Sequence, residues 1–245
     1  PYSGSDALTL GICLDKSRAK EILTYHKISN AKFLVANRME DIKNSSFDFP
    51  LIVKPISEGS SKGIFSSSFV KSKKELEDEV QRILSSYNQP ALIEEFLPGR
   101  EFTVAVIGND EDANVLPIIE ILYDDFPEDV VPLYSYEAKW ILDTKENSFD
   151  VFECPAKINS KLEAEIKETV LRTYNVLRCK DWSRIDVRLD KNGVPNIIEI
   201  NPLPGIMPDP NENSSFPKAA CVAGMTYNQM IQNVLYSAAK RYDLL

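Results

Sequence analysis

Two carboxylates and an amide stand out in the stretch RIDVRLDKNGVPNIIEINPLPG, residues 184 to 205. Folded as two strands around Asn192-Gly193, which suits a tight type I′ turn, it sets Asp186 directly across from Glu199 and Arg184 across from Asn201. Ile185, Val187, Ile198 and Ile200 then form the opposite, apolar face. A loop shifted to Lys191-Asn192 changes the partners but leaves Asp186, Glu199 and Asn201 on one face. Like charges facing each other destabilise a strand pair, so something must compensate. One compensation is a hard divalent cation, since two carboxylates and an amide oxygen suit Mg²⁺ with waters and phosphates completing its shell. The other is a solvated sheet face on which Arg184 and Arg188 pair with the acids.

Further upstream, IVKPISEGSSKGI puts Lys54 at the end of an apolar run, immediately before a Gly/Ser loop. Backbone N–H groups in such a loop can form an anion nest, with the Ser60 and Ser61 hydroxyls as further donors and Lys54 as a point charge on a phosphate. The segment matches neither GxxxxGK[ST] nor GxGxxG, and a plain surface loop has the same composition. In LIEEFLPGREF, Glu94 and Phe96 alternate and Glu101 opens the next strand. These acids could hydrogen-bond a ribose or an adenine amino group, or be solvated strand ends. Lys139 in SYEAKW is a phosphate contact or a surface lysine.

The elements that must position these groups follow from caps and periodicity. Asp15 caps a helix to about Ile28, and Ser72 with Glu75 makes a capping box for one reaching about Tyr87. Helices are also expected from about Asn159 to Leu177 and from about Thr226 to Arg241, with residues 202–217 a Pro/Asn-rich loop between the hairpin and the last helix. Strands are expected at 32–36, 49–55, 91–96, 101–108 and 115–122, the third and fourth joined through Pro98-Gly99. The opening PYSGSDALTLG shows neither helix nor strand. The irregular order of strands and helices, with hairpins, argues for mixed α+β rather than a doubly wound parallel sheet.

Composition narrows the function classes. The formal charge of −9 over 245 residues opposes binding to nucleic acid or an anionic membrane, so an anionic ligand needs a local basic pocket. No apolar run approaches the roughly 20 residues that span a bilayer. Four scattered cysteines, Cys13, Cys154, Cys179 and Cys221, fit free thiols in a reducing cytoplasm. A single histidine, His26, excludes a histidine-rich metal site and an obvious Ser-His-Asp hydrolase.

The linear order of these motifs resembles the ATP-grasp superfamily, and within it the D-alanine–D-alanine ligase family. LDKSRAK, VKP, EGSSKG, IEEFLPGREFTVAV, YEAKW, the hairpin and AGMTYNQMI carry the resemblance across nearly the whole chain. It implies two α+β lobes with ATP between them: a junction over residues 1–15, a smaller lobe over 16–101 and a larger one over 102–245. It implies Asp186, Glu199 and Asn201 as ligands of Mg²⁺, with Mn²⁺ an alternative. Lys16, Lys54 and Lys139 would lie on the phosphate and adenine side, Ser60 and Ser61 in a flap over the triphosphate. Glu94, Phe96 and Leu97 would form the adenine edge and wall, with Glu101 at the ribose. Arg184 and the Gly205 N–H would stabilise an oxyanion, and Ser214 would hold the carboxylate of an amino-acid or peptide substrate. The implied reaction is ATP-dependent ligation through an acylphosphate. Alternatives are an ATP-grasp ligase for other amino acids or peptides, and a nucleotide-binding module without ligase activity.

Two departures accompany the resemblance. The loop after Gly205, IMPDPNENSSFP, is longer and more acidic than a carboxylate-binding loop wants, with Asp209 and Glu212 near Ser214, and Pro202 replaces a small polar residue. The family also carries a domain N-terminal to this point, and PYSGSD resembles the junction after it. The expectation is that the chain works with such a domain, with a separate subunit, or as a homodimer.

Overall fold

The computed structural model describes residues 1–43, 46–123, 151–209 and 214–245. The chain opens with α1 (Ala7–Leu14), capped by Asp6, and α2 (Lys16–Tyr25), whose first N–H groups are capped by Asp15. α2 stops short of the expected Ile28. Lys27 adopts φ 56° and the Lys27 and Ile28 N–H groups fold back onto the carbonyls of Thr24 and Leu23, a C-terminal cap usually made by glycine. Then follow β1 (Phe33–Ala36), β2 (Leu51–Pro55), β3 (Phe69–Val70), α3 (Lys73–Tyr87) and β4 (Ala91–Glu95). The remainder comprises β5 (Glu101–Ile107), β6 (Asn114–Val115), β7 (Ile119–Ile121), β8 (Phe152–Glu153), α4 (Ser160–Val176), β9 (Trp182–Leu189), β10 (Pro195–Asn201), α5 (Ser215–Val222) and α6 (Tyr227–Arg241).

Two antiparallel sheets result, as a mixed α+β reading requires. The smaller has the order β1-β4-β2-β3. α3 packs Leu76, Val80 and Ile83 onto its inner face of Leu51, Val53, Ala91 and Ile93. Strand alternation sends Ile52, Lys54, Leu92 and Glu94 to the other face. The larger sheet has the order β10-β9-β5-β7-β8, with β6 beside β5. One of its faces, Phe102, Val104, Val106, Ile185, Val187, Ile197 and Ile200, is buried under Ile166, Val170 and Tyr174 of α4 and Ala19 and Leu23 of α2. Residues 16–28, expected with the smaller lobe, thus pack their apolar stripe into the larger sheet's core.

Several expectations change. β4 and β5 do not pair; they lie in different sheets, and Pro98-Gly99 is the crossing between them. Gly99 donates to the Leu189 carbonyl at 2.9 Å, and a Cβ there would stand 2.6 Å from that oxygen, so the crossing needs glycine. The single strand expected over 115–122 divides into β6 and β7 around Pro117, which has no N–H for a ladder. α1 and α5 were not anticipated. α1 is uncharged and almost wholly apolar, so it has no 3.6-residue alternation, and α5 carries Pro217 in its first turn, where proline is tolerated.

The hairpin also differs at its turn. Gly193, at φ +80°, donates to the Asp190 carbonyl and Asp190 donates to Val194, which makes a three-residue loop instead of a two-residue type I′ turn. The register near the turn is therefore one residue off the expected one, with Ile197 across from Val187. A bulge between Ile197 and Glu199 then restores the expected pairs, Glu199 with Asp186 and Asn201 with Arg184. Because of the bulge, Ile197 takes the core position expected for Ile198, which is only partly buried.

Candidate active site

The second face of the larger sheet is divided. At one end Ala105, Ile107 and Trp182 pack under Phe216 and Ala219 of α5 and Met230 and Val234 of α6. At the other end the same strands present Glu101, Thr103, Arg184, Asp186 and Arg188, with Glu199 and Asn201 from β10. Asp186, 8 % exposed, accepts from Thr103 Oγ1 at 2.7 Å, from Arg184 Nε and Nη2 at 3.0 and 2.9 Å, and from Asn201 Nδ2 at 3.3 Å. Glu199 pairs with Lys16 Nζ at 3.0 Å. Each of the facing acids thus has its own cation, and it is Lys16 rather than Arg188 that serves Glu199. Burial would raise the Glu199 carboxyl, but Lys16, Arg184 and Lys54 outweigh it and hold it below the ordinary glutamate value.

α2 reaches from this cluster to the smaller sheet. Lys16 and Lys20 are one helical turn apart and share a face. Lys16 also donates to the Glu58 carbonyl, and its N–H donates to Ile56, beyond the end of β2. Lys20 Nζ lies 2.6 Å from one Glu94 oxygen and Lys54 Nζ 2.5 Å from the other. Glu94, expected at a strand end, is buried between two ammonium groups. Its burial alone would raise its pKa, yet Lys20 and Lys54 bring it down to about 2. Burial in turn lowers Lys20 against the pull of Glu94. Lys20 is a site residue beyond those expected from the sequence, and its four-residue spacing from Lys16 is its one signal there.

Glu101 lies on the same sheet face as Asp186. It accepts from Arg188 Nη1 at 2.7 Å and from the Tyr123 hydroxyl at 2.8 Å. Burial lifts its carboxyl above the usual range, an effect Arg188 opposes and the Asp186 charge assists. The Arg188 guanidinium stacks 5.0 Å from the Phe96 ring, which meets Phe69 edge-on at 4.8 Å; Leu97 beside it is buried. Ser60 and Ser61 both take left-handed backbone (φ 55° and 58°), uncommon for serine, in a loop closed by Lys62 to Gly59 and Ile64 to Ser61 hydrogen bonds. Arg82 and Ser68 hold the Gly63 carbonyl at the loop's end, where a Cβ would strike Pro55.

Beyond the hairpin, Ser214 donates to the Gly205 carbonyl at 3.3 Å and accepts from Met207 N–H at 3.2 Å, tying the two ends of that loop together. Lys139 lies outside the described residues, as does Glu212. Among the described residues no three His, Cys, Asp or Glu side chains form a metal cage. Two carboxylates with an amide are instead the sparse oxygen set that leaves room for water and phosphate around Mg²⁺. A cleft of about 880 Å³ lies elsewhere, between residues 107–112 at the far end of β5 and α6, and includes none of the candidate residues.

Two antiparallel α+β lobes with a lysine- and acid-lined seam define an ATP-grasp ligase. Residues 21–236 match the family described as D-ala D-ala ligase C-terminus, and the chain belongs to that family. It is 34% identical over 242 residues to the protein y4sG of Sinorhizobium fredii, covering 99% of this chain and 67% of that protein. It is 30% identical to D-alanine–D-alanine ligase B of Clostridium perfringens, covering 98% and 73%. The structure of D-alanine–D-alanine ligase from Bacillus anthracis complexed with ATP superposes with a TM-score of 0.76 at 26% identity, covering 98% of this chain and 70% of that one.

Proposed function

We propose that this chain uses ATP to join a carboxylate to an amine between its two lobes, in the manner of D-alanine–D-alanine ligases. The observation that carries the reading is the opposition of two charged groups across one seam: Asp186, Glu199 and Asn201 on the larger sheet, and Lys54 and Glu94 on the smaller. Lys16 and Lys54, with Lys139, would hold the phosphates, and Ser60 and Ser61 would close over them. Glu94 would accept from the adenine amino group, Phe96 and Leu97 would wall the base, and Glu101 would bind the ribose hydroxyls. The Asp186, Glu199 and Asn201 oxygens suit Mg²⁺, or Mn²⁺, which when bound offsets phosphoryl charge. Arg184 and the Gly205 N–H would face the oxyanion formed at the substrate carbonyl. The substrate carboxylate attacks the γ-phosphorus to give an acylphosphate and ADP. The amine then attacks the acyl carbon, phosphate leaves, and the nitrogen loses its proton, forming an amide. The reading places this chemistry in the cytoplasm, where ATP is supplied.

A second reading concerns the amine substrate. The Ser214 hydroxyl is engaged within its own loop, which also carries Asp209, so a peptide, whose carboxylate lies farther from its amine, fits this loop better than D-alanine. Calorimetry should show ATP binding that depends on magnesium; its absence overturns the ligase reading. Phosphate release across a panel of D- and L-amino acids and dipeptides then assigns the substrate. Release with D-alanine alone defeats the second reading.

A further inference from the structure

We propose that Lys20 is a positioning residue that frees Lys54 for a nucleotide phosphate by remaining on Glu94 as its standing counter-ion. This inference rests on the ATP-binding reading of the seam.

The two lysines on Glu94 are not equivalent. Lys20 lies on α2, whose Ala19 and Leu23 are locked in the larger sheet's core and whose Lys16 is held by Glu199 and the Glu58 carbonyl. Its side chain is 3% exposed, with Nζ 5.8 Å from the Phe33 ring centre, against 9% for the side chain of Lys54. Lys54 stands at the end of β2, three residues before the Ser/Gly loop over residues 57–63. Of the two ammonium groups, Lys54 is therefore the one a phosphate can recruit.

Recruitment has an electrostatic requirement. Glu94 is buried, and a buried carboxylate stripped of its only cation is strongly unfavourable. If Lys54 were that only cation, a phosphate would have to compete with Glu94 for it. Because Lys20 occupies the other carboxylate oxygen at 2.6 Å, Lys54 can turn to the phosphate while Glu94 stays paired, charged and fixed as an acceptor. The cluster of Lys16, Lys20 and Lys54 with Glu94 and Glu199 also has one more cation than anion, leaving one positive charge for the ligand.

The test uses the 245-residue chain and compares affinities for magnesium-ATP and for adenosine, whose ratio isolates what the phosphates contribute. Lys20→Met should lower that ratio about tenfold or more, the worth of one charge-assisted contact, because Lys54 stays on Glu94. Adding Glu94→Gln to Lys20→Met should bring the ratio back to within about threefold of wild type, since a neutral partner no longer holds Lys54. Lys20→Arg should keep it near wild type. Thermal unfolding of each variant establishes that it is folded, and Lys20→Gln replaces Lys20→Met if that variant is not. An unchanged ratio in Lys20→Met, or a loss the double variant does not recover, overturns the proposal. Failure of the wild-type chain to bind ATP would instead overturn the ligase reading beneath it.

Discussion

A carboxylate closed off from water keeps its charge only if cations repay the lost hydration, and Glu94 shows the balance most clearly. Its folded pKa of about 2 lies below the ordinary 4.5, so it contributes stability that is fully present above the ordinary value and lost as the pH falls through the folded one. The shift corresponds to something on the order of 3 kcal/mol. Urea denaturation from pH 6 down to 2 should therefore show a loss of about that size that Glu94→Gln lacks. Glu94→Gln should also be the less stable protein at pH 7, by about 3 kcal/mol, because two ammonium groups lose their partner. Glu199 behaves differently. Its side chain is 27% exposed and paired with Lys16, so the like-charge repulsion inferred from strand alternation is already relieved in this structure. Glu199→Gln should move stability by less than about 1 kcal/mol while removing the magnesium dependence of ATP binding; a larger stability loss would make Glu199 a structural residue. The residues of the seam were legible because strand parity is strict. Their partners were not, since Lys20 with Glu94, Thr103 with Asp186 and Arg188 with Glu101 are contacts between segments far apart in sequence.

At the scale of elements, the crossing at Pro98-Gly99 decides how the smaller sheet meets the hairpin. A methyl group at Gly99 would overlap the Leu189 carbonyl and force the crossing away from the end of β9. Gly99→Ala should cost about 1–3 kcal/mol in chemical denaturation, and it should weaken ATP binding too, because the same displacement moves Glu94 relative to Glu101. Wild-type stability in that variant would mean that the crossing adjusts freely. Caps and periodicity placed α2, α3, α4 and α6 within a few residues, since Asp15, Ser72, Asn159 and Thr226 all receive the N–H groups expected of a cap. What local pattern could not express was sheet membership. Two strands joined by a short Pro-Gly linker have the local signature of a hairpin whether they pair or part. The bulge before Glu199 was equally hidden, because Ile197 and Ile198 are both apolar and either could face the core.

For the whole molecule, the first and last segments meet at Asp181. This fully buried carboxylate accepts from Gly4 N–H, Asn109 and Arg241, and Arg241 also donates to the carbonyls of Tyr2 and Gly4 and stacks on Tyr242. Burial would raise the Asp181 carboxyl, but these donors keep it below the usual aspartate value. Asp181→Asn should reduce global stability by about 2–3 kcal/mol without changing ATP affinity, since none of these contacts reaches the seam. A matching loss of ATP affinity would show that the two regions are coupled. No helix among the described residues is long and apolar enough to cross a membrane.

The division of one sheet face into an apolar half and a charged half bears on how the chain finds its register at all. A slip of β9 along β5 by two residues keeps every side chain on its proper face, and strand parity alone would let it pass. In one direction that slip sets Asp186 against Glu101 and moves Arg188 away from its place across from Glu101; in the other it carries Arg184 opposite Ile107, toward the apolar cover of α5 and α6. Either mispairing is penalised by charge, so the residues proposed to handle ATP also serve as a proofreading device for the fold that presents them.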